Sequence, residues 1–180
     1  MNMEDRIQVW DKRFRKYIPE SDIQAVVRRV ADISRDYRDK NPLTCPVLTG
    51  SCMFAADLVR ALDFDVQLSF VRYASYEGTT STGTVKELLG FPETCRGRHV
   101  IIVEDIVDSG VSMEHMLARL AERQPASMSV CTLFFKPGSF RKDFPIDYVG
   151  MEIADEFILG YGLDYNGMGR SYRDIYILDN

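Results

Sequence analysis

The chain has little of what would mark it for export, membranes or structural metal. It has four cysteines, Cys45, Cys52, Cys95 and Cys131, and no C-x-x-C pair, which argues against a zinc site or a redox dithiol. Cys45 and Cys131 sit in apolar strand-like runs and Cys52 opens an apolar helix, so these three read as buried, reduced thiols. Cys95, between Thr94 and Arg96, is expected at the surface. His99 and His115 are the only histidines, and neither stands at metal-ligand spacing from a second His or a carboxylate. No apolar run approaches the roughly 18 residues that a membrane span needs. Met1 to Tyr17 carries Glu4, Asp5 and Asp11 among its basic residues and has no apolar signal-peptide core. These absences predict a cytoplasmic protein with no membrane partner. A basic surplus is also missing: the net charge is -5, which disfavours nucleic acid as a partner. A local phosphate site built from backbone N–H groups and one or two cations remains compatible with that charge.

What is present is a chain rich enough in apolar residues to bury a core, in which helical and strand-like patterns alternate. No repeat, low-complexity tract or Pro/Gly linker divides it, so residues 1–180 are expected to form one domain. Ile23, Val26, Val27, Val30, Ile33 and Tyr37 recur at helical spacing, preceded by a capping-box pattern at Ser21 and Gln24, and Asn41-Pro42 ends that helix. Cys45 to Leu48 reads as a short strand, Met53 to Leu62 as a helix, and Asp65 to Ala74 alternates like a strand. Ser75 to Thr84 is polar and small, as a mobile loop would be, and Gly90-Phe91-Pro92 marks a turn. Val100 to Val103 is a continuous β-branched run, expected of a strand covered on both faces. A helical face follows at Met113, Met116, Leu117, Leu120 and Ala121, then a strand at Ser127 to Phe135. Tyr148 to Ile153 and Asp174 to Leu178 are weaker strands. The alternation predicts an α/β fold with a mostly parallel sheet flanked by helices, whose ligands bind beyond the carboxyl ends of the strands.

One segment concentrates chemistry at such a strand end: Val103-Glu104-Asp105-Ile106-Val107-Asp108-Ser109-Gly110-Val111-Ser112. A buried strand ends in two adjacent carboxylates, and a third follows just before small hydroxyl and glycine residues that open an amphipathic helix. Ser109, Gly110 and Ser112 can offer backbone N–H groups and hydroxyls to an anion at the helix N-terminus. Glu104 and Asp105 would repel a phosphate directly, but they can accept hydrogen bonds from sugar hydroxyls or hold Mg²⁺ that bridges to a phosphate. Phosphate, diol and metal together describe a phosphorylated ribose. Simple helix capping requires one such residue and leaves the paired acids unexplained. The segment is neither a P-loop, having no Gly-Lys-Ser/Thr, nor a dinucleotide fingerprint.

The same segment resembles the phosphoribosyl-pyrophosphate signature of type I phosphoribosyltransferases. From about Pro19 onward the chain is similar to the hypoxanthine-guanine phosphoribosyltransferases. The resemblance implies the type I fold, with a small hood formed by residues of about 1–20 and 150–180 and a flexible active-site loop at about 75–85. It implies that Glu104 and Asp105 contact the ribose hydroxyls and Mg²⁺, and that Asp108 is the general base at the purine N7. Ser109, Gly110, Val111 and Ser112 would take the 5′-phosphate, and Ile106 would pack beside the base. Lys136 matches the lysine that donates to the purine 6-oxo group. Phe157 would stack on the purine, backbone groups of Ile158 would read its edge, and Asp164 would hold a second Mg²⁺. Thr49, Gly50 and Ser51 match the pyrophosphate loop, and Arg170 would touch pyrophosphate. Ser75 and Tyr76 would begin the loop that closes over the reacting centre and excludes water.

The implied activity is transfer of the phosphoribosyl group to a 6-oxopurine, by a homodimer or homotetramer with no nucleic-acid or membrane partner. The sequence departs from the family pattern at Thr49, where Lys or Arg is usual. It departs again at Phe140, where an Arg is frequent and Arg141 stands next to it. Both departures touch pyrophosphate handling and leave base choice alone. Two other readings stay open at this point: a non-catalytic sensor of phosphoribosyl pyrophosphate or nucleotides on the same fold, and a phosphoribosyltransferase for another base such as xanthine.

Overall fold

The computed structural model describes residues 6–75 and 85–179. The chain opens with a hairpin, β1 (Arg6–Val9) and β2 (Lys12–Ile18). Then come α1 (Glu20–Val30), a 3₁₀ turn at Ala31–Ile33 and the single turn α2 (Ser34–Tyr37), which together cover the predicted helical stretch. β3 (Leu43–Leu48), α3 (Cys52–Ala61), β4 (Gln67–Leu68) and β5 (Val71–Ser75) follow. Next are β6 (Val85–Leu89), β7 (His99–Val107), α4 (Val111–Ala121) and β8 (Ser127–Phe135). β9 (Tyr148–Glu152), β10 (Ile158–Leu159) and β11 (Ile175–Leu178) complete the order.

The main sheet runs β6-β5-β3-β7-β8-β9, with β4 also beside β3. Its pairings are parallel except for β5 with β6. The β-branched run of β7 is explained by two covered faces. Ile101 and Val103 join a core with Ile23, Val27, Phe54 and Leu58 from α1 and α3. Val100 and Ile102 join Met113, Met116 and Leu120 of α4 on the other face. Each such fully buried side chain stabilises the fold by about 1.5–3 kcal/mol relative to exposure.

A second, antiparallel sheet has the order β1-β2-β11-β10 and is the expected hood, made from both terminal segments. Val9, Phe14, Leu159 and Tyr176 form a small core of its own, while Ile18, Ile158, Ile175 and Ile177 pack into the main core. Tyr161 and Gln24 fasten the hood to the helical layer: the Tyr161 hydroxyl and the Gln24 amide both donate to Asp57 Oδ2, at 2.5 and 2.7 Å.

Several local expectations are corrected. Ser21 and Gln24 form no capping box; Pro19 is the N-cap residue and makes no side-chain cap bond. The Glu20 N–H instead donates to Asp174 Oδ1 at 2.8 Å, from the far end of the chain. Cys95 is fully buried and packs with Cys45 and Phe91. A hydrogen bond to Cys95 and burial push the Cys45 thiol up. Cys52 is half-buried. Asp65 to Ala74 divides into β4 and β5, and β6 was not anticipated. Tyr76 and the rest of the predicted loop to Thr84 lie outside the described residues, while Ser75 closes β5.

Candidate active site

β7 does not stop at its acids. It runs on to Val107, because Ile106 and Val107 still pair with Phe134 and Phe135 of β8. On its other side the pairing with β3 ends at Pro46 opposite Val103. Above that point β7 is zipped to one neighbour only, which opens a crevice beside Glu104 and Asp105. β3 continues through α3 toward one edge of the sheet and β7 through α4 toward the other. The crevice is therefore the topological switch point, where open α/β sheets bind ligands.

Glu104 is half-buried and Asp105 is 8% exposed. The Ile106 N–H donates to Asp105 Oδ1 at 2.7 Å, and the Asp105 N–H donates to Glu104 Oε1 at 3.2 Å. Burial, then the neighbouring Asp105 charge, raise the Glu104 carboxyl well above its usual range. Burial likewise raises Asp105, opposed by its hydrogen bonds and by the positive field of Arg170. A nearby cation would favour the charged form of two adjacent carboxyls raised in this way. Among the described residues no group of three or more His, Cys, Asp or Glu could hold a metal. The donor set suits Mg²⁺, which usually takes one or two carboxylates and completes its shell from water and substrate phosphate.

The turn after β3 presses directly on this pair. A Cβ at Gly50 would lie 2.6 Å from Asp105 Cγ and overlap its Oδ2. The peptide bond Leu48–Thr49 is cis. The Ser51 hydroxyl and N–H both donate to Val47 O, at 2.7 and 3.3 Å, so Ser51 is spent on holding the turn. Thr49 is exposed. From the hood, Gly162 abuts the Gly50 carbonyl so closely that any Cβ there would overlap it. Gly162 also exchanges bonds with Arg170: its N–H donates to Arg170 O at 3.0 Å, and Arg170 Nη1 donates to its carbonyl at 2.6 Å. Arg170 Nη2 meets Asp164 Oδ1 at 2.6 Å, and Asp164 Oδ2 accepts from the Gly167 N–H at 2.7 Å.

Beyond β7, Glu104 and residues 106–113 line a hollow of about 120 Å³. Gly110, with φ 84°, is the N-cap of α4 and supplies no side-chain cap. The first N–H groups of this 11-residue helix are thus left for an anion, in line with the helix dipole. Phe140 and Lys142 pack behind Gly110; a Cβ there would meet Phe140 Cε2 at 2.6 Å. The Arg141 N–H donates to Ser109 O at 3.2 Å, and Lys142 pairs with Glu114 at 2.6 Å.

Lys136 follows β8 and is 7% exposed. Its Nζ lies 2.9 Å from Asp108 Oδ2 and 3.5 Å from Asp155 Oδ1. Asp155 was not singled out from the sequence. Two residues later, Phe157 is 44% exposed, although a lone phenylalanine is usually a core residue. Its neighbour Ile158 pairs with Ile177. Because the Leu178 N–H donates to Phe157 O at 3.1 Å, the next pair, Ile158 with Ile177, is of the non-hydrogen-bonded kind. Ile158 therefore turns its N–H and C=O away from β11, on the outer strand of the hood.

Residues 20–166 match the phosphoribosyl transferase domain family. The chain is 40% identical over 161 residues to the hypoxanthine-guanine-xanthine phosphoribosyltransferase of Tritrichomonas foetus, covering 88% of each chain. It is 36% identical over 160 residues to the hypoxanthine-guanine phosphoribosyltransferase of Bacillus subtilis, covering 88% of this chain and 87% of that one. The fold is similar to the crystal structure of a hypoxanthine-guanine phosphoribosyltransferase from Bacillus anthracis, with a TM-score of 0.86 at 36% identity, covering 91% of this chain and 98% of that one. Sequence signature, crevice position and these likenesses agree, and the chain belongs to the phosphoribosyltransferases, in their hypoxanthine-guanine branch.

Proposed function

We propose that the protein works in purine salvage, transferring the 5-phosphoribosyl group of phosphoribosyl pyrophosphate to hypoxanthine or guanine and releasing pyrophosphate. The observation that carries this reading is the meeting of three chemistries in one crevice. An acid pair suits ribose, an uncapped helix start suits phosphate, and a buried lysine 2.9 Å from Asp108 suits a 6-oxopurine.

In this reading residues 109–112 hold the 5′-phosphate, and Glu104 and Asp105 take the ribose hydroxyls. The purine stacks on Phe157 beside Ile106, with its edge toward the outward backbone groups of Ile158. Thr49, Gly50 and Arg170 receive pyrophosphate. The purine must part Lys136 from Asp108: Nζ turns to the 6-oxo oxygen, and the freed carboxylate faces N7–H. N9 then bonds to C1′ as the C1′–oxygen bond breaks, the electron pair leaves with pyrophosphate, and the N7 proton passes to Asp108. Adenine, whose 6-amino group is itself a donor, offers Lys136 no acceptor. Glu104 and Asp105 would hold Mg²⁺, and Asp164 a second ion; bound there, the metal would supply neutralisation of the charge on the departing pyrophosphate.

Leu68, Phe70, Leu88 and Leu89, exposed on and around β4 to β6, support a homodimer or homotetramer. Among the described residues no helix is long and apolar enough to cross a membrane, and a cytoplasmic location fits a salvage enzyme. The test is product formation from hypoxanthine, guanine, xanthine and adenine, each with and without Mg²⁺. Turnover of 6-oxopurines with Mg²⁺ and rejection of adenine is expected. Binding without turnover would mean a sensor instead.

A further inference from the structure

The hairpin β1–β2 takes no part in the chemistry above, yet its tip reaches Tyr165, whose ring packs on the residue assigned to stack on the purine. Tyr165 stands at the start of a tight turn: it exchanges bonds with Met168 at 2.9 and 3.0 Å. Asn166 and Gly167 between them have φ 51° and 81°, the pattern of a type I′ turn. From that turn the Tyr165 ring meets Phe157 edge-on, with centroids 5.8 Å apart and planes at 83°. The Tyr165 hydroxyl donates to Asp11 Oδ1 at the hairpin tip, at 2.9 Å. Lys12, the next residue, places its Nζ 5.0 Å from the centre of the Tyr165 ring. Phe14 of β2, fully buried, lies 6.2 Å from both the Phe157 and the Tyr165 rings. Phe157 is thus braced by two rings while it keeps 44% of its surface open.

We propose that Asp11 and Tyr165 are positioning residues for purine binding: the hairpin tip holds the Tyr165 ring, and that ring sets the plane of Phe157. A tether is needed because Phe157 is exposed and stands just before a strand only two residues long. An aromatic left to swing would lose rotamer freedom each time a base stacked on it. Ordered in advance, it meets the base without that cost. The inference rests on the reading of Phe157 as the purine platform.

The test uses the full chain and measures kcat, the purine KM and the phosphoribosyl pyrophosphate KM for Asp11→Ala, Tyr165→Phe, Tyr165→Leu and Phe157→Leu. It also includes Asp11→Ala combined with Phe157→Leu. Tyr165→Leu removes the edge contact and should raise the purine KM about 3- to 10-fold, from the usual strength of an aromatic pair. Asp11→Ala and Tyr165→Phe remove only the tether and should each raise it about two- to threefold, the scale of an exposed polar contact. kcat and the other KM should stay within about twofold, and Asp11→Ala should do nothing further once Phe157 is leucine. A general loosening of the hood would move all three parameters and would persist in the double variant; that result overturns the inference, as does an unchanged purine KM in Asp11→Ala. If Tyr165→Leu fails to fold, Asp11→Ala, at an exposed position, decides. A raised purine KM in Phe157→Leu with none in the tether variants defeats the positioning role alone. No change in Phe157→Leu removes the platform reading and this inference with it.

Discussion

Gly50→Ala puts one methyl group where the structure has no room for it. The added Cβ would sit 2.6 Å from Asp105 Cγ and overlap Oδ2, whereas carbon atoms in contact rest about 3.5–4.0 Å apart. The carboxylate or the turn must retreat by roughly 1 Å to restore that spacing. Retreat of the turn is opposed by Gly162, which abuts the Gly50 carbonyl. Retreat of the carboxylate strains the 2.7 Å bond from the Ile106 N–H, and bonds to charged groups are worth about 1.5–3 kcal/mol. Taking that range as the loss, kcat/KM for phosphoribosyl pyrophosphate should fall about 10- to 150-fold, at 1.36 kcal/mol per factor of ten. The purine KM, proposed to be set at Lys136 and Phe157, should change less than about threefold by the same conversion. Gly138→Ala is the matched control, since a Cβ there meets nothing within 4 Å. Steady-state assays with each substrate varied separate these effects. A Gly50→Ala enzyme that kept its kcat/KM for phosphoribosyl pyrophosphate within twofold of wild type would refute the claimed contact between turn and acid.

Asp108→Asn should lower kcat by about 10²- to 10⁴-fold while leaving measurable turnover, the usual share of a general base; a wild-type rate would remove Asp108 from that role. Lys136→Ala should weaken purine binding and relax discrimination against adenine, and an unchanged guanine KM would contradict it. Its stability cost should stay under about 1 kcal/mol, because the side chains it leaves unpaired, Asp108 and Asp155, are 49% and 69% exposed; thermal melts check this. In metal-free buffer the folded state holds a proton on Glu104 that the unfolded chain has already released, since burial raises the native carboxyl well above its ordinary 4.5. Stability should therefore fall as pH rises from about that value through the raised native pKa. Glu104→Gln should flatten the decline in a series of melts, and an unaltered slope would rule out Glu104 as its source.

The central strand and its acids could be read early because a β-branched run ending in carboxylates has few structural uses. β8 came out residue for residue for a similar reason: its second half, Val130 to Phe135, is almost wholly apolar and is covered on both faces through Phe134. The strand limit of β7 was harder, since two acids look like a terminus until Phe134 and Phe135 are known to pair beyond them. The cap of α1 could not be found locally at all, because its acceptor, Asp174, is 154 positions away. Cys95 misled for the opposite reason: polar neighbours in sequence hid a side chain that turns inward beside Cys45. At the site, the residue types of the pyrophosphate turn were legible, but Ser51's inward commitment to Val47 was not. Asp155 depends on how the hood lies against the sheet, and the Asp11–Tyr165 contact on how the two ends of the chain meet within the hood, which no short pattern records.

β11 lies between β2 and β10 in the hood, so the backbone of the strand bearing Ile158 joins that of the amino-terminal hairpin through residues 175–178. A chain emerging in order from the ribosome therefore carries residues 104–112, proposed to hold ribose and phosphate, well before the strand that ties down the proposed purine platform. Until residues 175–178 are in place, Phe157 lacks the backbone bond from the Leu178 N–H that ties it into the hood.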